Sequence, residues 1–127
     1  MSNVFEKCLD TPQTEFWVHR GIQCAVHHHN RIGCLNGYAL IPDGHPLEKD
    51  EAWGACYASE ALLDVHGGMT FGPAKVEGGH VVGFDTNHLH DKTELNPTGW
   101  RVWSLEQVMR ETERMADQIA DLKDGVA

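Results

Sequence analysis

The sequence predicts an α+β domain: a small, mainly antiparallel sheet packed by a C-terminal amphipathic helix. Three observations carry that expectation. Apolar residues alternate with polar ones through much of 16–41, with one polar break. A mainly apolar stripe at helical spacing runs from Leu105 to Leu122. The chain has 127 residues, a length that suits one domain rather than two. Residues 1–15 read as a flexible, polar lead-in and 16–127 as a single α+β domain. Apolar types make up 41% of the chain and charged types 23%, so a core can form and wholesale disorder is not expected.

The elements follow in order. Phe16 to His28 reads as a strand, with Val18, Ile22, Cys24 and Val26 on one parity and Arg20 as the exception. His29, Asn30 and Arg31 turn the chain. Ile32 to Ile41 reads as a second strand, with Ile32, Cys34, Tyr38 and Leu40 on one parity, and the two make an antiparallel hairpin. A turn-rich piece from Pro42 to Pro46 follows. Leu47 to Tyr57 has a weak three-to-four periodicity that suits a short helix or lid. Glu60 to Val65 reads as a further strand stopped by Gly67 and Gly68. Lys75 to Gly79 reads as a loop, His80 to Asp85 as a short strand, and Thr86 to Trp100 as irregular. Ser104 caps the last helix, with Gln107 completing a capping box and Trp103 and Val108 placed as a hydrophobic staple. Leu105, Val108, Met109, Thr112, Met115, Ile119 and Leu122 form its stripe, and Gly125 ends it.

Charge narrows the function. Lys plus Arg is 10 and Asp plus Glu is 19, giving a formal charge of −9. General binding to a nucleic-acid backbone needs concentrated positive charge and is not expected, whereas a metal-bridged nucleotide or phosphate ligand stays open. The 4 cysteines form no CxxC pair, which argues against a zinc knuckle or a thioredoxin-like motif. Met1 to Asp10 lacks the pattern of a signal peptide, and no apolar run approaches a membrane span. A cytoplasmic protein with mostly reduced thiols and no membrane partner is the expectation. The 9 histidines are the compositional oddity and point to a polar, His-rich site.

Two segments carry most of the candidate chemistry. In Asp64-Val65-His66-Gly67-Gly68, strand alternation puts Asp64 and His66 on one face, where a carboxylate oxygen and an imidazole nitrogen can share a divalent metal. Asp64 could instead orient His66 as a base, and a plain polar strand end before a glycine turn fits the same residues. In Gly83 to Asp91, the residues Asp85, His88, His90 and Asp91 crowd the exit of an apolar run. The expected metal ligands are Asp64, His66, Asp85, His88 and His90, with Glu60, His45 and Asp91 as acid–base groups. A polar surface loop with incidental histidines is the alternative. His27, His28 and His29 are a weaker cluster, and His19 and His80 weaker still. Trp53, between His45 and Glu60, is a candidate wall for a flat ligand; the other tryptophans suit the core.

Several motifs are missing. The chain has no GxxxxGK[ST] or GxGxxG loop, no HExxH helix and no GxSxG elbow. Nothing around Cys56 supplies a base or an oxyanion hole. The D-x-H triplet also opens phosphoesterase metal sites, but their downstream G-D and G-N-H-E blocks are not present.

Four blocks together resemble a group of small proteins encoded by bacteriophages and some bacteria. They are G-Y-A-L-I-P-D-G-H-P at 37–46, D-V-H-G-G-M-T-F at 64–71, G-F-D-T-N-H at 83–88 and V-M-R-E-T-E at 108–113. The likeness spans roughly 20–122, and it departs at Met69, where the group has Leu, and at Thr86, where Cys is frequent. It implies a shared site and a phage-like source, and it names no reaction.

Three functional classes follow. The first is a divalent-metal-dependent hydrolase acting on a small molecule through a metal-activated water, with Zn as the leading ion and Mn, Fe or Ni as alternatives. The second is a non-catalytic phage-type protein that binds a small host metabolite or partner. The third is a structural or assembly protein. A homo-oligomer fits any of them.

Overall fold

The computed structural model describes residues 5, 14–29, 34–50, 53, 63–66, 70–86, 98–99 and 103–123. Five strands and one long helix organise them. The strands are β1 (Thr14–His19), β2 (Ile22–His29), β3 (Cys34–Pro42), β4 (Phe71–Val76) and β5 (Gly79–Phe84). They form one antiparallel sheet in the order β1-β2-β3-β5-β4. A short 3-10 helix covers Pro46–Lys49, and helix α1 spans Leu105–Lys123 and packs across β2 and β3. The expected fold class is the observed one.

The first long strand is in fact a hairpin. Arg20 has φ 52° and Gly21 φ 79°, the left-handed pair that a two-residue hairpin turn demands. The chain reverses there, so β1 and β2 pair, with His19 opposite Ile22 and Trp17 opposite Cys24. Val18 therefore leaves the parity of Ile22, Cys24 and Val26, and it is 65% exposed. The second hairpin, β2 with β3, is antiparallel as expected, with Cys24 opposite Ala39 and Val26 opposite Gly37.

Two further expectations need correction. Phe71–Val76, read in part as loop, is the edge strand β4, turning into β5 through Gly78 at φ 91°. Gly72–Pro73 interrupts its ladder at an irregularity between Phe71 and Ala74, which an edge strand tolerates. Leu63–His66, expected at the end of a strand, carries no strand pairing; residues 60–62 lie outside the described set. β1 begins at Thr14, and Phe5 is fully buried against the far face of the sheet, edge-on to Phe16.

The main core lies between α1 and the sheet. Val108, Met115, Ala116 and Ile119 meet Ile22, Cys24, Val26, Ala39, Ile41, Val82 and Phe84. Burying a side chain the size of Ile119 or Met115 contributes about 1.5–3 kcal/mol. Gly37 sets the distance between the layers: a Cβ there would collide with the Thr112 hydroxyl and the Phe84 ring. Buried Thr112 turns its own hydroxyl back to the Val108 carbonyl, 2.7 Å away. The helix start matches its sequence signature in both halves. Ser104 N–H donates to Gln107 Oε1 at 2.9 Å, and Gln107 N–H donates to Ser104 Oγ at 3.1 Å.

Polar clasps from β1 and its turn fix one edge of α1. Trp17 Nε1 donates to Glu113 at 3.0 Å, and His19 Nε2 lies 2.9 Å from Asp117. Arg20 reaches Asp117 and Asp121. Burial pushes the Asp117 carboxyl up, but hydrogen bonds from His19 and Arg20 outweigh it and hold the group below its ordinary value.

Candidate metal site

The sheet register builds a cluster that local spacing does not reveal. Ile41 pairs with His80, and His80 pairs with Lys75, so the three form one row on the helix-facing side. Asp43 lies two residues beyond Ile41 and is held to the β4–β5 turn by its N–H, which donates to Gly78 O at 3.1 Å. The turn at Pro42–His45 then folds the chain back, with His45 N–H on Pro42 O at 3.2 Å and Gly44 at φ 79°. That turn starts the 3-10 helix and brings Glu48 over His80.

Asp43, Glu48 and His80 can each offer one ligand atom with all of these atoms within 4.8 Å of one another. Two carboxylates and an imidazole are ordinary donors for a divalent ion, so this surface cluster can chelate one. Among the described residues it is the one group of three or more His, Cys, Asp or Glu so gathered. Each member has a distinct setting. Glu48 Oε2 accepts the Gly44 N–H at 3.1 Å. Asp43 Oδ1 accepts from Lys75 Nζ at 2.7 Å, an exposed ion pair. His80 Nδ1 is buried with no hydrogen-bond partner, and its nearest carboxylate oxygen is Glu48 Oε2, 3.9 Å away. A buried imidazole nitrogen without a partner is costly, which makes it the atom most improved by a metal. The Trp53 ring stands edge-on to the His80 ring, with centroids 4.8 Å apart.

The residues expected from sequence are placed differently. His45 is 3% exposed and bonded at both ring nitrogens. Its Nδ1 accepts from Leu47 N–H at 3.0 Å and caps the 3-10 helix, while Nε2 donates to Ile119 O at 2.7 Å. These partners fix a neutral ring locked between two backbone segments, a structural post. Asp64 projects outward, and its carboxylate meets Arg114 at 3.1 Å. Its backbone exchanges two hydrogen bonds of 2.8 Å with the Gln118 side chain. The His66 ring lies against Trp103, with centroids 4.5 Å apart, while the His66 backbone N–H donates to Glu111 Oε2 at 2.6 Å. Leu63 and Val65 point into the core. The hydrogen bonds of Asp64 and His66 fasten this segment to α1.

Glu111 anchors that fastening. Burial pushes its carboxyl up, but hydrogen bonds from Arg114 and the His66 N–H outweigh it, so it ionises below the usual range. Asp85 directly follows β5, and Thr86 beside it clasps Leu35: the Oγ1 donates to Leu35 O at 2.9 Å and accepts from Leu35 N at 3.2 Å. Glu60, His88, His90 and Asp91 lie outside the described residues, as does Cys56. Asp64, His66 and Asp85 do not join the gathered group.

The four blocks noted in the sequence adjoin one another. Gly37 and Tyr38 pair with Phe84 and Gly83, Thr70 N–H donates to Gly83 O at 2.9 Å, and Thr112 fits over Gly37. Their glycines serve packing: a Cβ on Gly83 would collide with the Tyr38 ring. Of the cluster, Asp43 falls in the first block, whereas Glu48 and His80 fall in none. No family model matches the chain, and neither the curated proteins nor the solved structures contain a match to it. Among the described residues no helix is long and apolar enough to cross a membrane.

Proposed function

We propose that the chain binds a divalent metal ion through Asp43, Glu48 and His80 and uses it to hydrolyse a small molecule. The observation that carries this reading is the gathering of three donor side chains, one of them His80, whose Nδ1 is buried and unpartnered. Three protein ligands leave coordination positions for water and substrate, the pattern of catalytic rather than structural zinc sites. An ion so held lowers the pKa of its water toward neutrality and polarises a carbonyl or phosphoryl oxygen. Zn fits the donor set best, with Mn, Fe or Ni as the other candidates. Trp53 beside His80 supplies an aromatic wall for the substrate. Of the three ligands, Asp43 falls within a block shared with the small phage and bacterial proteins that the sequence resembles.

The test is elemental analysis of untagged protein purified without chelator or immobilised metal, followed by a screen of esters, amides and phosphate esters. The expected result is close to one equivalent of metal, with turnover lost in both His80→Gln and Glu48→Gln. Protein that retains no metal and takes up none of these ions at micromolar concentration contradicts the proposal. Metal uptake without turnover on any substrate class leaves a metal-binding protein and removes the hydrolase.

A further inference from the structure

We propose that the substrate of this site carries an anionic oxygen group, a carboxylate or phosphate, shared between the metal ion and Lys75. The inference rests on the metal reading above and deepens it. Lys75 lies on the edge strand β4, in the same row as His80, with its ammonium 2.7 Å from Asp43 Oδ1. Its side chain is 57% exposed, so a ligand can reach it. Lys75 thus pairs with one of the three residues that can hold the ion.

Charge gives the direction. Asp43, Glu48 and Lys75 together carry one net negative charge, and a divalent ion added to them turns this to one net positive charge. Metal loading therefore shifts the cluster toward attracting an anion. That reversal stands out on a chain of formal charge −9, where an anionic small molecule otherwise meets an unfavourable field. An oxyanion on the metal beside the ammonium accepts a charge-assisted hydrogen bond as well as a metal bond. A neutral oxygen can make the same two contacts but lacks the attraction between opposite charges.

The experiment uses the full chain loaded with Mn2+, read by water-proton relaxation, with inorganic phosphate and acetate as probes. Anion binding displaces metal-bound water and lowers the relaxation enhancement. The expected result is saturable displacement in the wild type, weakened about three- to fivefold in Lys75→Met at saturating Mn2+ and largely restored in Lys75→Arg. Displacement by phosphate alone, or by acetate alone, separates the two group types within the proposal. Equal anion affinity in wild type and Lys75→Met, or no displacement by either probe, overturns the inference and leaves the metal reading standing. Failure of the wild type to bind Mn2+, Zn2+ or Ni2+ overturns the metal reading and this inference with it. Lys75 is exposed on an edge strand, so its variants keep the fold, which circular dichroism verifies.

Discussion

Replacing His45 with alanine removes a post, not a catalyst, and its cost can be worked from the contacts. Pro46 brings no N–H, so the Leu47 amide is the first in the 3-10 helix that needs a partner, and His45 Nδ1 provides it at 3.0 Å. The other nitrogen ties the same turn to Ile119 O of α1 at 2.7 Å. Each hydrogen bond contributes about 0.5–1.5 kcal/mol net, and loss of a helix cap costs about 0.5–2 kcal/mol. The ring is also buried, at 3% exposure, so truncation leaves a space that packing fills only in part. The sum for His45→Ala is about 2–4 kcal/mol of lost stability. Urea denaturation followed by tryptophan fluorescence measures it directly. His45→Asn keeps a capping acceptor but loses the reach to Ile119, so about 1 kcal/mol should return. A His45→Ala midpoint that corresponds to less than about 0.5 kcal/mol of destabilisation, the range of an ordinary surface change, refutes the reasoning.

Three other perturbations test separate parts of the fold. Gly37→Val drives a side chain into Thr112 and Phe84 and should cost about 1–3 kcal/mol or prevent folding; an unchanged melting temperature contradicts the close approach. Ser104→Ala breaks one half of the capping box and should cost about 1 kcal/mol by chemical denaturation, with Ser104→Asp retaining most of it. Glu111 ionises more easily in the folded protein than unfolded, where a Glu has a pKa of about 4.3. Its contribution is therefore full above that value and lost as pH falls through the lower folded value. Glu111→Gln should destabilise at pH 7 and flatten the acid limb of the stability profile; parallel profiles for the two proteins contradict this.

The sequence and the fold agree where the signal is local. The stripe of α1, its Ser104–Gln107 box and the β2–β3 hairpin all depend on contacts a few residues apart or on simple alternation. The Arg20–Gly21 turn was harder to see because a non-glycine residue occupies its first left-handed position. The mismatch of Arg20 with the strand parity was its trace. β4 was obscured because Gly72 and Pro73 interrupt alternation, as edge strands permit. The candidate site was least legible. Dense polar runs stand out at 64–66 and 85–91, while Asp43, Glu48 and His80 are scattered along the chain. They meet through the register of β3 with β5, which pairs Ile41 with His80, and no local spacing encodes that pairing. His80 lies between Gly79 and a run of valines, and nothing beside it in the chain suggests a ligand.

The most direct measurement is calorimetric titration of Zn2+ into the wild type, His80→Gln, Glu48→Gln and Asp64→Asn. The account predicts one site per chain in the wild type, lost or weakened at least about tenfold in His80→Gln and Glu48→Gln, since each removes one of the few ligands. Asp64→Asn, which touches only the exposed Arg114 pair in the contacts described, should bind as the wild type does. Unchanged binding in His80→Gln with loss in Asp64→Asn would place the metal at the other segment and contradict the account.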